Sequence, residues 1–392
     1  MHDTAFFLIL LGGLFLLSMV VSHIANKFGI PRVTLLIIAG IVIGPSGLNW
    51  VNGLEQTWFP TISSITLLII GYLLGTKMSK LFIYKHGKSV SIVAISMTLL
   101  TFIVVFSGLV LINVPFTLSA LLAAISVATD PTATLDVVEN NTNTKNSGFK
   151  DLIRGVVALD DILGLLLFSI VIAVLASVNS NGSEPQPWYN ALIHFGYETF
   201  GSIILGAILG AGLTYLLNHK PHKRPVFIES FGLILLCGGI ASFLNMSYLL
   251  AAMAMGVIVI NFAHKTRPHL HEVEMVEQPF LILFFVLAGA SLKLDDINQA
   301  GWLLFGYILF RLLGRLLSGG ILPKNYRAGS NRYLLGLAFT SQAGVAMGMA
   351  LVAGTQFPEY QNDILTVAIS ATVFFELIGP ILTSVSLRQQ NQ

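Results

Sequence analysis

The sequence predicts an all-α polytopic membrane protein of about thirteen transmembrane helices, built as inverted repeats. Three observations lead there. Of 392 residues, 55% are hydrophobic and only 10% charged, against about 25% charged in a soluble domain, and the mean hydropathy is +0.80. Apolar stretches near the ~20 residues needed to span a bilayer recur along the whole length. Lysine and arginine also alternate between loops: of 21, eighteen fall on one set of alternate loops, Lys293 alone on the other, and Arg311 and Arg315 inside a span. This bias places the N-terminus outside and the C-terminus in the cytoplasm, with a multi-pass chain in the cell inner or plasma membrane. The lipid bilayer is the partner the composition demands, and a net charge of +2 gives no sign of a nucleic-acid partner. Cys237 is the lone cysteine, which excludes a disulfide framework and a thiolate metal site.

In order, segment 4–22 follows an N-terminus, MHDT, that lacks a basic leader region and a small-residue cleavage site, so it is read as a retained helix. Lys27 and Arg32 separate it from 33–47. Segment 61–76 runs into a connection with four lysines between 77 and 88, and 89–112 follows. Segments 116–138 and 150–178 flank Lys145, and NSNGSEPQPWYN at 179–190 precedes 190–217. Lys220, Lys223 and Arg224 lead into 227–243 and 247–263, and the polar, charged connection 264–278 leads into 279–292. Segments 299–321, 333–354 and 364–386 complete the set. The second and tenth are short for a span and are expected to tilt, re-enter or borrow flanking residues.

Five ionisable side chains lie at mid-span: Asp130, the adjacent Asp160 and Asp161, Arg311 and Glu376. Each charge at bilayer depth costs about 2.5–3.5 kcal/mol on insertion scales. The three aspartates and Arg311 are read as meeting in one water-accessible cavity; the alternative is a buried ion-pair network that only sets helix register. Neighbours on a helix point about 100° apart, so one of the two adjacent acids meets a partner helix while the other faces the cavity. Like charges so close do not both stay ionised in a dry site, and their titration is coupled. Such a pair holds a cation or protons, not both, which is the physical basis of exchange.

The fifth segment reads SALLAAISVATDPTATLDVV. Proline removes a backbone donor and disfavours helix at the residue before it, so a break is expected around 128–132. A break at the midplane frees carbonyls and amides and opposes two helix ends. Those carbonyls, with the hydroxyls of Ser126, Thr129 and Thr132, suit a small hard cation, and Asp130 offsets the positive end of the second half-helix. The twelfth segment, GLAFTSQAGVAMGMALVA, has a polar interruption at 340–344 without proline. Segments five and twelve are seven apart, as are six and thirteen, and four and eleven; odd spacing inverts one copy relative to the other, the usual pointer to inverted repeats with a midplane site. Arg311 is read as counter-charge to Asp160 or to the carbonyl ends of a broken helix. Arg315, one turn nearer the cytoplasm, is read as snorkelling to water and is the second choice for that role. Glu376 either pairs with Arg315 or is protonated and structural.

These residues resemble bacterial monovalent cation:proton antiporters of the NapA and GerN kind, within the larger group that includes the Kef potassium-efflux systems. The matching stretches are IPRVTLLIIAGIVIGPSGL, SVATDPTAT, VVALDDILG, FLILFFVLAGASL, FTSQAGVAMGMAL and FFELIGPILT, of which TDP with ALDD is the specific part. The resemblance implies an NhaA/NapA-like fold in which two broken helices cross within a core (about 89–178 and 299–386) that moves against a panel (about 1–76 and 190–292), the panel forming a homodimer. It implies Asp161 as the ion-binding carboxylate, Asp160 as partner of a basic residue, and Thr129 and Asp130 as the broken-helix motif. Where several relatives carry lysine, this chain carries arginine, which stays protonated. A Kef-type nucleotide-binding domain is not expected, nor is any cofactor. The expected activity is secondary exchange of Na+, or of Li+ or K+, for protons. A potassium-selective exchanger and a sodium- or proton-coupled symporter of an organic acid are the alternatives. An intramembrane aspartyl protease would need its two acids on separate, facing helices.

Overall fold

The computed structural model describes residues 2–28, 31–51, 54–140, 147–178, 188–219, 227–263, 266–292, 294–321, 332–342 and 344–389. Helices occupy every predicted segment. α1 (His2–Phe28), α2 (Arg32–Ile43), α3 (Leu54–Thr76) and α4 (Lys80–Leu111) precede a divided fifth segment, α5 (Phe116–Ile125) and α6 (Pro131–Asn140). Then come α7 (Ser147–Val178), α8 (Trp188–His219), α9 (Phe227–Phe243), α10 (Tyr248–Phe262), α11 (Thr266–Ser291) and α12 (Leu294–Gly319). The twelfth segment is also divided, into a 3-10 helix (Arg332–Phe339) and α13 (Gly344–Gln356), and α14 (Gln361–Gln389) closes the fold. Among the described residues, seven helices are long and apolar enough to cross a membrane, and the bent pair Tyr333–Phe339 and Gly344–Gln356 is an eighth candidate.

Local chemistry sets many of the boundaries. Pro31 and Pro115 precede α2 and α5, and Pro131 opens α6, positions where a missing amide is harmless and the fixed φ suits the helix. Asn49, Asn113 and Asn245 turn the chain with φ of 57°, 62° and 53°, the left-handed region that asparagine tolerates.

The connection expected at 264–278 is instead helical from Thr266. Val273 is buried while its neighbours His271 and Glu274 are exposed. Hydropathy detects an apolar cylinder and misses a helix whose polar face leaves the core. This extension answers the shortness of the tenth segment. α2 stays at 12 residues but packs backbone to backbone on α11: a Cβ on Gly40 would lie 2.1 Å from the Val286 carbonyl oxygen, and one on Gly289 2.1 Å from that of Ile37. Small residues allow that approach where no hydrophobic effect drives helices together.

α3, α8, α9, α10 and α11 share one apolar cluster around Tyr72, Cys237 and Met255. α4, α6, α7, the 3-10 helix and α14 share another around Met97, Phe149 and Phe339. A third joins α5, α7, α12, α13 and α14 where the two breaks lie. Ile103 on α4, Ile208 on α8 and Trp302 on α12 are exposed, as suits faces turned to lipid.

Candidate functional site

The break in the fifth segment lies before the proline. α5 stops at Ile125 and α6 starts at Pro131, so residues 126–130 are unwound, slightly earlier than the expected 128–132, because proline clashes with the chain behind it and suits a first helical position. Asp130 Oδ2 accepts from the Ala133 amide at 2.7 Å. It is thus an N-cap, its charge set against the positive end of α6. The second break separates Phe339 from Gly344, with a 71° bend between the parts. The two breaks touch: the Asp130 amide donates to the Ser341 carbonyl at 2.9 Å. α14 seats on the crossing at Gly379, where a Cβ would fall 2.3 Å from Ser341 Oγ.

Two helix C-termini, at Ile125 and Phe339, converge here with carbonyls to satisfy. Arg311, fully buried, does so. Its Nε donates to the Ser126 carbonyl at 2.8 Å, Nη2 to those of Ala128 at 2.9 Å and Ser341 at 3.4 Å, and Nη1 to that of Thr340. The guanidinium lies 4.2 Å from the centre of the Phe375 ring. Of the two roles left open for Arg311, this is the carbonyl one.

The ion pair of Asp160 is with Arg315, at 3.2 Å, both side chains fully buried. The expectation that Arg315 snorkels is therefore corrected: a buried anion and the first break hold it. Its Nη2 also meets Thr129 Oγ1 at 3.0 Å and donates to the Val127 carbonyl. Thr129 Oγ1 donates in turn to Asp160 Oδ2. Asp160 Oδ1 accepts from Thr98 Oγ1 at 3.1 Å, so both oxygens of Asp160 are engaged. Thr98 is the site residue that sequence reasoning missed, since one hydroxyl in an apolar helix carries no signal. Thr98→Val keeps the shape and removes a bond to a charged group, a kind worth about 1.5–3 kcal/mol. The purified variant is expected to melt at a lower temperature than wild type while still folding, and an unchanged melt would free Thr98 of this role.

The other predicted residues separate. Ser126, fully buried, turns its hydroxyl to the Ala123 carbonyl at 2.7 Å and its own carbonyl to Arg311. Asp161 lies on α7 next to Asp160, but its side chain is outside the described residues, as is that of Thr132. Glu376 is 1% exposed and neighbours Asp130, not Arg315. A cavity of about 980 Å³ reaches the crossing, with Thr129, Asp130 and Glu376 at its floor and Arg32, Lys77 and Glu274 near its mouth. Gln342, in the second break, donates from Nε2 to the Tyr307 hydroxyl at 3.0 Å.

Crossed broken helices, arginines buried on their carbonyls and an acid-floored cavity define an ion-coupled membrane carrier. The chain belongs to the sodium/hydrogen exchanger family, whose transmembrane region it matches over residues 13–389, a family of transporters and not of enzymes. It is 24% identical over 401 residues to the K+/H+ antiporter subunit KhtU of Bacillus subtilis (96% of this chain, 93% of that protein). It is 25% identical over 371 residues to the Na+/H+-K+ antiporter GerN of Bacillus cereus (90% of each). Over 371 residues it is 24% identical to a Na+/H+ antiporter of Enterococcus hirae (92% of this chain, 93% of that protein). Its fold is similar to that of the sodium proton antiporter of Methanocaldococcus jannaschii at pH 8, with TM-score 0.76 and 21% identity over the whole of both chains.

Proposed function

We propose that this protein exchanges a monovalent cation, Na+ with Li+ or K+ as further substrates, for protons by alternating access. The observation that carries the reading is the acid-floored cavity that ends on the crossing, beside an Asp160 wholly engaged by Arg315, Thr129 and Thr98. With Asp160 locked, Asp161 is the carboxylate that alternates between cation and proton, assisted by Thr129 and Asp130. Arginine does not release its proton at working pH, so the ion pair holds the crossing together and protons travel on carboxylates. No cofactor takes part. Arg32 and Lys77, cations of the loops assigned to the cytoplasm, line the cavity, which supports an inward-open form with the N-terminus outside. Residues 89–178 and 299–386 move as the core against a panel of 1–76 and 190–292, which carries the homodimer contact.

A potassium-selective exchanger is the second reading. It is favoured by the names of two relatives, a K+/H+ antiporter subunit and a Na+/H+-K+ antiporter, and hydroxyl and carboxylate oxygens suit both ions.

Protein reconstituted in liposomes with an internal pH reporter tests both. Addition of NaCl, LiCl or KCl is expected to drive proton counterflow, and the order of the three salts assigns the substrate. Cation movement with no countermovement of acid at any gradient would overturn the proposal. Asp161→Asn is expected to purify folded and to exchange nothing; exchange retained in that variant would move the alternating role to another acid.

A further inference from the structure

We infer that Glu376 is a cation ligand, forming with Asp130 a coordination site on the α14 side of the cavity floor, separate from Asp160. The inference rests on the exchange activity proposed above. Glu376 is 1% exposed and lines the cavity. Its Oε1 has no hydrogen-bond partner among the described residues, and the group that its side chain does meet is a second acid, Asp130. Two acids side by side at membrane depth do not both ionise without a counter-charge, and a transported cation supplies one.

Helix geometry explains why the crossing arginines do not supply it. Phe375 lies on Arg311, and the next residue of α14 is turned about 100° away, toward the cavity and Asp130. The bonds that both arginines make run elsewhere, from Arg311 to four carbonyls and from Arg315 to Asp160. The helix itself adds an oxygen. Pro380, four residues on and inside α14, has no amide to give the Glu376 carbonyl its helical hydrogen bond. One carboxylate from α14, one from the first break and a released carbonyl make a hard-oxygen set of the kind monovalent cations accept. Because α14 and the first break each contribute one acid, the spacing between them sets which cation fits.

Glu376→Gln is the decisive variant. Glutamine keeps size and hydrogen-bonding capacity and removes the anionic ligand, so a merely structural role leaves the cation affinity where it was. In liposomes at fixed pH and constant ionic strength, balanced with choline chloride, the apparent KM for the transported cation is expected to rise roughly tenfold or more. Stabilisation of the purified protein by NaCl, LiCl or KCl against melting is expected to shrink in parallel. Glu376→Asp, which withdraws the carboxylate by one methylene, is expected to recover part of the affinity and to change the order of the three salts.

An apparent KM within about twofold of wild type in Glu376→Gln would overturn the inference. If that variant does not fold, an unchanged KM and salt order in Glu376→Asp would overturn it. A wild-type protein that exchanges nothing would sink the transport reading instead. Salt stabilisation would then still decide the site: its loss in the Glu376 variants supports it, and its persistence refutes it.

Discussion

Arg315→Met is expected to destabilise the protein by about 3–5 kcal/mol, the range for breaking a buried pair by removing one partner. Arg315 and Asp160 lie 3.2 Å apart with neither side chain exposed. Methionine keeps the length and apolar stem but leaves Asp160 with two hydroxyls, from Thr98 and Thr129, and no charged hydrogen-bond donor. It also orphans the Val127 carbonyl that the same Nη2 serves, so the first break loosens as well. The melting temperature of the purified protein reads the loss. A double-mutant cycle with Asp160→Asn isolates the pair: the doubly changed protein is expected to melt above Arg315→Met alone, because no buried charge then stands uncompensated. Strictly additive losses would show that the two residues do not act as partners.

Arg311→Lys keeps the charge and is expected to fail nonetheless. The planar guanidinium spreads its donors over carbonyls from both breaks, Ser126 and Ala128 on one and Thr340 and Ser341 on the other, while stacking on Phe375. An ammonium is a compact point charge with three donors and no planar face, and from one place it cannot serve both breaks. Each buried carbonyl left without a donor costs about 1–3 kcal/mol, so losing two puts the melting temperature well below that of wild type. Exchange is expected to fall with it, since the Asp130 amide is held to the second break at the Ser341 carbonyl, a residue whose carbonyl Arg311 also holds. A lysine variant with wild-type melting and wild-type cation-driven proton flux would remove Arg311 as the bolt of the crossing.

The sequence by itself determined the membrane class, the helical segments, the break before Pro131 and the acids that reach membrane depth. These are local matters: hydropathy is a property of a window of about 20 residues, and a missing amide acts on its own turn of helix. The polar extension of α11 escaped because its helix lies outside the apolar window.

The tertiary structure alone decided which arginine meets Asp160. Arg311 and Arg315 stand one turn apart on one face of α12, about 5–6 Å along the axis, and nothing local says at which level α7 and the first break pass them. The same crossing turned the Ser126 hydroxyl into its own helix, drew Thr98 onto Asp160 and set Glu376 toward Asp130. A side chain's partner at membrane depth depends on where distant helices cross, a distance that a linear sequence does not contain.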